Sequence, residues 1–210
     1  TFLATQARAL VDAFAARTRD YLMAAWRVQG PDGAEAARAA ADAGLDAETL
    51  ERWLGYLGGA RNHPLLDPWN ELLARQAPEA EFAAFAESFQ TLLVDTIEEK
   101  KRIDKENEIR LGGDDSARKA ARTELLSLAR DPYFLWRDVA TANARSLPVQ
   151  ANTGVLYYTA ETLDRFLSGP YREHVERARE RAAALEAKVP PKYPFLHVLA
   201  DVDKPANEHV

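Results

Sequence analysis

Residues 79–97 read EAEFAAFAESFQTLLVDTI, and this stretch decides the fold that the sequence predicts. Its large apolar side chains recur every three or four residues, a spacing that gathers them on one face of an α-helix. They are Phe82, Phe85, Phe89, Leu92, Leu93 and Ile97. Pro78, Glu79 and Glu81 suit a first turn, because proline loses no hydrogen bond there and acids favour the positive helix end. We predict one long amphipathic helix from residue 79 to about Arg110.

The second half of this predicted helix is charged on nearly every side. Residues 98–110 read EEKKRIDKENEIR, with acid-to-base pairs four residues apart at Glu98–Arg102 and Glu106–Arg110. Each such pair stabilises an exposed helix by roughly 0.2–0.5 kcal/mol. The basic run at residues 100–102 is interleaved with acids, so we interpret it as a solvated helix face.

Shorter helices are predicted on both sides of the long one, because alanine-rich amphipathic stretches alternate with Gly, Pro and Asp. Asp46 and Thr159 are predicted N-caps, and Gly44 is a predicted helix terminator. The predicted segments are Phe2 to about Val28, Ala34 to Ala43, Asp46 to Gly59, Pro64 to about Ala77, Ser116 to Arg130, Tyr133 to Val139 and Ala160 to Leu167. Residues 148–154 are predicted to form a loop.

The last predicted helix, from Pro170 to about Val189, carries a narrow apolar seam among mixed charges. The seam consists of Tyr171, Val175, Ala178, Ala182, Leu185 and Val189. A stripe this narrow favours packing against a single partner helix. We predict that the partner is the charged half of the long helix, which would make an antiparallel hairpin.

The C-terminal residues change character at the prolines 190, 191 and 194, which are incompatible with a continuous helix. Residues 195–199 are predicted to form a short strand whose sheet lies beyond residue 210. We therefore predict an all-α bundle of six to eight helices over residues 1–189, with a long hairpin. Residues 190–210 would form an extended, proline-rich tail that leads toward a following domain.

Composition excludes several classes of protein. The 27 Lys and Arg residues against 33 Asp and Glu residues give a formal charge of −6, which argues against a nucleic-acid-binding protein. A hydrophobic content of 47% argues against disorder. The absence of cysteine excludes disulfides, thiolate metal sites, cysteine nucleophiles and a Cys-x-x-Cys-His haem motif within these residues. Apolar runs are too short to predict a membrane span.

Residues that could take part in catalysis or bind a metal are scattered along the sequence. No two of the four histidines, His63, His174, His197 and His209, have the spacing of a helical metal site. We interpret His63 as flanking a helix entry near Asp67, although a noncovalent haem ligand among the four stays an alternative.

Neither the acidic pairs nor the glycine pairs of the sequence predict a functional site. Glu98 and Glu99 are neighbours on a helix and do not face each other, and Asp114-Asp115 suits a helix cap better than a calcium loop. Neither a nucleophile elbow nor a phosphate-binding loop occurs in the sequence. We predict no catalytic, cofactor-binding or metal-binding residue in this chain, although its enzymatic status stays open.

Two stretches resemble the middle region of the large planctomycete-type cytochrome c-associated proteins, which are also found in acidobacteria. Residues 99–113 read EKKRIDKENEIRLGG, and residues 185–199 read LEAKVPPKYPFLHVL, with KPAN following at 204–207. Residues 46–53 (DAETLERW) and 63–65 (HPL) fit the same region more loosely. The match spans most of the chain.

The resemblance implies that this chain is an internal helical module of a multidomain protein. In that family a haem-attaching domain usually comes first, so haem c is expected in another domain of the parent and not here, where the Cys-x-x-Cys-His motif is missing. Covalent haem attachment implies that the parent is exported to the periplasm or the cell surface. The expected partners are the other domains of the parent.

Three hypotheses for function follow, and the first is favoured. It is a non-catalytic structural or interaction module of such an exported protein. The second is an enzyme active site shared with other domains, hydrolytic on carbohydrate, to which polar residues between 131 and 159 would contribute: Asp138, Asn143, Arg145, Gln150 and Asn152. The third is a helical haem or electron-transfer protein in its own right. The oligomeric state and the substrate are not predicted.

The chain begins Thr1-Phe2-Leu3 inside a predicted helix, with neither an initiator Met nor a basic-then-apolar leader. A signal peptide that has been removed and a piece of a longer protein both explain this start. We expect the piece of a longer protein.

Overall fold

The computed structural model describes residues 2–30, 33–59, 64–112, 125–141 and 154–189. All regular structure in these ranges is helical and no strand occurs in them, which confirms the predicted all-α bundle. The helices are α1 Phe2–Ala15, α2 Thr18–Gln29, α3 Ala36–Asp42, α4 Ala47–Gly59, α5 Asp67–Ala74, α6 Glu79–Leu111, α7 Arg130–Ala140, α8 Ala160–Leu163 and α9 Gly169–Glu186, with a 3₁₀ turn at Asp164–Phe166.

The chain divides into two compact units, Thr1–Leu163 and Asp164–Val210. In the first unit α6 contacts α1, α2, α5 and α7, so its apolar stripe organises the core. The indole of Trp69 lies 5.0 Å from the ring of Phe82 in an edge-to-face pair, and Trp53 meets Phe89 in the same way at 6.1 Å. Such pairs add roughly 0.5–1.5 kcal/mol to the gain from burial alone. The predicted amphipathic helix is therefore confirmed, from Glu79 to Leu111.

The single helix predicted over residues 2–28 is wrong, since the chain breaks into α1 and α2 at Ala16 and Arg17. The guanidinium of Arg17 donates to the carbonyl oxygens of Gly44 at 3.1 Å and Ala43 at 3.3 Å, which end the neighbouring α3. Local periodicity is continuous across the break, so the cause is tertiary. The break allows α2 to pack against α3, α4 and α6 while α1 lies on α6.

The helix predicted over residues 116–130 is also wrong where the structure describes it, because residues 125–129 are not helical. The side-chain amide of Asn107 on α6 bonds the backbone of Leu126 twice, donating to its carbonyl and accepting from its N–H, both at 2.9 Å. These bonds satisfy the polar groups that a helix would otherwise pair internally. Residues 116–124 lie outside the described residues.

Smaller differences concern the ends of helices. The helix predicted from Pro64 begins at Asp67, and the one predicted over residues 160–167 continues from Leu163 as a 3₁₀ turn. The predicted helix over residues 133–139 is confirmed as α7, and Thr159 caps α8, accepting from the N–H of Thr162 at 3.4 Å. The last predicted helix is confirmed as α9, which ends at Glu186.

The strand predicted at 195–199, the tail 190–210 and the loop at 148–153 lie outside the described residues. The predicted hairpin joins α6 to a helix of the other unit and stays a prediction. Within the first unit, the charged half of α6 packs against α7.

Asp46 caps α4, as predicted. Its Oδ1 accepts from the backbone N–H of Thr49 at 2.8 Å and from the Thr49 hydroxyl at 2.6 Å. Gly44, at φ +59°, ends α3, and the N–H of Leu45 bonds the carbonyl of Ala40 at 2.8 Å, the pattern of a Schellman motif. Together these two residues fix the turn between α3 and α4.

Replacing Asp46 tests this cap. Because Asp46→Ala leaves the N–H of Thr49 without its acceptor, we expect the free energy of unfolding to fall by about 0.5–2 kcal/mol, measured by urea denaturation with far-UV circular dichroism. Asp46→Asn keeps an acceptor oxygen and should lose less. Asp42→Ala, an exposed aspartate at the end of α3, is the matched control, and an equal loss in both Ala variants would contradict the cap.

Candidate functional site

The described part of the chain contains no group of three or more His, Asp or Glu residues that could hold a metal ion. Of the four histidines, only His174 is described, and it lies exposed on α9. His63, His197, His209 and the pair Asp114-Asp115 lie outside the described residues. The structure therefore brings none of the histidines singled out in the sequence into a common site within the described ranges.

The charged half of α6 is a network of exposed ion pairs. Glu106 pairs with Arg110 at 2.7 Å, as predicted. The predicted pair between Glu98 and Arg102 is wrong, because Arg102 bonds Glu99 at 2.6 Å and Glu98 bonds Lys101 at 2.8 Å, one residue closer along the helix. Exposed pairs of this kind contribute at most about 1 kcal/mol each. The face is solvated, and its acids and bases compensate one another.

The aromatic side chains of the first half of the chain form the core. Trp53 and Trp69 are fully buried, and Trp26 lies 5.7 Å from Phe82, centroid to centroid. Phe85 packs between Trp69 and Phe89, at 5.7 Å from each ring. These rings fill space between helices and do not line a cage that could accept a ligand.

A cleft of about 270 Å³ opens in the first unit between α1, α6, α7 and residues 156–158. Its floor is apolar and its rim is charged. The ammonium of Lys101 on the rim bonds Asp12 at 2.7 Å, while that of Lys100 bonds Asp104 and lies 4.5 Å from the centre of the Trp136 ring. These charged groups are engaged with protein partners, so the cleft offers an apolar surface and no convergent acid–base pair. Sequence reasoning missed this cleft, because its walls come from four separate segments.

Hydrogen bonds and a cation–π contact tie Tyr157 and Tyr158, which line the cleft, to α4. The hydroxyl of Tyr158 lies 2.7 Å from that of Thr49, and the guanidinium of Arg52 lies 5.1 Å from the centre of the Tyr158 ring. Arg52 also donates to the carbonyl of Tyr157 at 2.7 Å. Burial raises the pKa of Tyr158 and of Tyr21, whose hydroxyl accepts from the N–H of Asp46 at 3.2 Å. These hydroxyls therefore stay protonated and act as structural hydrogen-bonding groups.

Gly154 allows this segment to return against α7. Its N–H bonds the carbonyl of Thr141 at 2.7 Å, and the N–H of Leu156 bonds that of Val139 at the same distance. A Cβ at residue 154 would lie 2.6 Å from the Val139 oxygen, closer than a methyl group can approach. Only glycine fits here without a shift of the backbone.

Asp138 is the one member of the predicted shared-site set that lies in the described residues, and it is fully buried. Its Oδ1 accepts from Nε of Arg137 at 2.8 Å, and Arg137 in turn lies 4.8 Å from the centre of the Phe134 ring. Burial, followed by the charge of Asp138, raises the pKa of Tyr56. Residues 143, 145, 150 and 152 lie outside the described residues, so no constellation is formed by this set within them.

The apolar seam of α9 is the most distinctive surface in the described residues. Its members follow the alternating four- and three-residue spacing of a coiled coil. Val175 is buried, but Tyr171 is 51% exposed and Leu185 58% exposed, and Val189, in the turn after the helix, is 62% exposed. Ala178 and Ala182 are exposed between them. The structure therefore leaves most of the seam open to solvent.

No protein-family model, curated protein or solved structure matches the chain. Among the described helices, none combines the length and the apolar content that crossing a membrane requires.

Alkaline titration tests the burial of the tyrosine hydroxyls described above. Since burial raises the pKa of Tyr21, Tyr56 and Tyr158, we expect three of the seven tyrosines to ionise later in the folded chain than in the chain unfolded in urea. Their contribution to stability is complete below the unfolded value of about 10 and is lost as the pH rises through the folded values. Phenolate absorbance measures this.

The matched variant for that titration is Tyr56→Phe, which should remove one tyrosine from the late phase only. Coincident titration curves for folded and unfolded chain would contradict the burial of these hydroxyls.

Proposed function

We propose that this chain is a non-catalytic interaction module of a large, exported, cytochrome-associated bacterial protein. The observation that carries the proposal is the open heptad seam of α9. The engaged charges of the cleft and of α6 support a role in binding rather than in chemistry.

The energetic argument concerns the cost of leaving the seam in water. Burying a Leu or Val side chain gains about 1.5–3 kcal/mol relative to leaving it exposed. Leu185 and Val189 leave most of that gain unused in the isolated chain, because both are more than half exposed. Isolated apolar side chains are common on surfaces, but these recur at helical spacing along one stripe. A stripe of this form is typical of a helix that packs on one partner helix.

The resemblance at residues 99–113 and 185–199 supports the second part of the proposal, the cytochrome-associated parent. In that setting, haem c belongs to another domain, the parent is exported, and other domains of the same polypeptide are the partners of this module. The seam residues Leu185 and Val189 fall inside the second of these stretches.

The alternative function is an active site shared with other domains. Of the residues predicted for that site, only Asp138 lies among the described residues. That carboxylate is buried and bonds Arg137, so it is not presented on a surface that another domain could complete. The interaction module is therefore the function that we favour.

Photo-crosslinking tests the seam. A photo-reactive phenylalanine analogue at Leu185, in the protein expressed from its own complete gene, should crosslink to a segment outside residues 1–210, identified by mass spectrometry of the peptides. The same analogue at Ile109 is the matched control, because Ile109 is 72% exposed on α6 and lies off the seam. A crosslink from position 185 into residues 98–110 would instead support the intrachain hairpin, and yields equal to the Ile109 control would contradict a docking role.

The complete reading frame tests the parent protein. We expect it to encode an export leader and a Cys-x-x-Cys-His motif upstream of Thr1, since covalent haem attachment requires both. Sequencing the gene answers this directly. A reading frame that lacks the leader and the motif would contradict the cytochrome-associated parent. The binding role of the seam would then be tested by crosslinking alone.

A further inference from the structure

The side chains that border the seam of α9 are mostly basic. In a coiled coil, the positions on either side of the apolar seam meet the corresponding positions of the partner helix and set its identity. On α9 and the turn that follows it, one border holds Arg172, Arg179 and Glu186, and the other holds His174, Arg181 and Lys188. Four of these six side chains are cationic and one is anionic.

The acids of α9 lie away from the seam. Glu173, Glu176 and Glu180 occupy positions on the outer part of the helix, and Arg177 pairs with Glu173 there at 3.5 Å. Apart from Glu186 and Arg177, the sign of the charge is therefore segregated around the helix, with acids on the outer face and bases beside the apolar stripe. A helix that is merely solvated does not require this segregation, because mixed signs serve solubility equally well.

The two borders differ in how far they are engaged within the second unit. Arg179 bonds Asp164 at 2.6 Å and Nε of Arg172 donates to the carbonyl of Leu167 at 3.2 Å, so this border is held by the segment that precedes α9. On the other border, Arg181 and Lys188 are exposed. The basic border formed by these two residues is the one that a partner would meet.

We propose that the seam of α9 binds an amphipathic helix from outside this chain, with an apolar stripe of its own bordered by acidic side chains. The inference rests on the proposed interaction function and names the chemistry of its partner. Ala178 and Ala182 are small, so the middle of the seam leaves room for large apolar side chains of the partner. Leu185 and Val189 would cover smaller side chains near the end of the partner helix.

A second copy of this chain fits the seam less well. Antiparallel pairing about the middle of α9 would place Arg181 against its own counterpart and Arg179 against its own counterpart. Like charges at these positions destabilise a coiled coil, and the single acid Glu186 can pair with only one of the bases on each helix. The charge pattern therefore favours a different, acidic helix over antiparallel self-association.

The charged half of α6 is also a poor occupant. Its residue Ile103 is buried inside the first unit, so the exposed Ile109 is not part of a continuous stripe, and its acids Glu98, Glu99 and Glu106 bond bases on the same helix. It therefore lacks a continuous exposed apolar stripe, and most of its acids are already paired.

Two synthetic peptides of three heptads test this proposal, both with Leu and Ile in the seam, one with Glu and the other with Lys at every bordering position. Binding of each labelled peptide to the full chain is followed by fluorescence anisotropy. We expect the acidic peptide to bind at least about tenfold more tightly than the basic one at low salt. The preference should shrink as salt screens the exposed pairs.

Charge reversal provides the specific variant. Arg181→Glu with Lys188→Glu should abolish or invert the preference, because the border becomes acidic while the seam is untouched. The matched control is Lys105→Glu with Arg177→Glu, which makes the same change of net charge at exposed positions away from the seam. Circular dichroism confirms that each variant is folded, and neither pair of substitutions touches a buried side chain.

The outcomes are separable. Failure of both peptides to bind, or equal binding of the two, overturns the proposed partner, as does a preference that survives the reversal of Arg181 and Lys188. A chain that sediments as a dimer through this seam, and loses the dimer in Leu185→Asp, overturns it in favour of a second copy. If the peptides contradict only the acidic character of the partner, crosslinking of position 185 to an outside segment would still support the interaction module.

Discussion

Burial of the aromatic stripe on the first half of α6 is the constraint on which the rest of the structure depends. The edge-to-face contact of Trp69 with Phe82 and that of Trp53 with Phe89 join α5 and α4 to α6, and the fully buried Leu93 continues the same stripe. Each ring removes a large apolar area from water, which is the dominant favourable term in folding. The helices α2, α4 and α5 of the first unit contribute aromatic side chains that cover this face.

The second helix with a regular apolar pattern behaves in the opposite way. The stripe of α9 has the periodicity of a packed helix, yet Leu185 and Val189 are largely exposed. The same physical effect that closes the core of the first unit therefore remains available on α9 for association. This contrast, together with the bases that border the stripe, is the observation on which our proposal of a binding role rests.

Short-range sequence patterns predicted the structure correctly where the deciding contacts lie close together in the sequence. The cap at Asp46, the terminator Gly44 and the stripe of α6 follow from contacts within a turn or two of helix, and the structure confirms all three. The break before α2 depends on Arg17 reaching carbonyls 26 and 27 residues away, and the irregular backbone at Leu126 depends on Asn107, 19 residues away. No window of sequence around either segment contains the group that decides its conformation.

The sequence by itself determined that the chain is helical, that α6 carries a core stripe and that α9 carries a seam of coiled-coil spacing, because side-chain periodicity follows directly from helical geometry. Only the tertiary structure decided that the first stripe is buried and the second largely open, that Lys100 and Lys101 of the cleft are engaged, and that Asp138 lies inside the fold. Burial depends on which elements meet in space, and periodicity specifies a face without specifying what covers it.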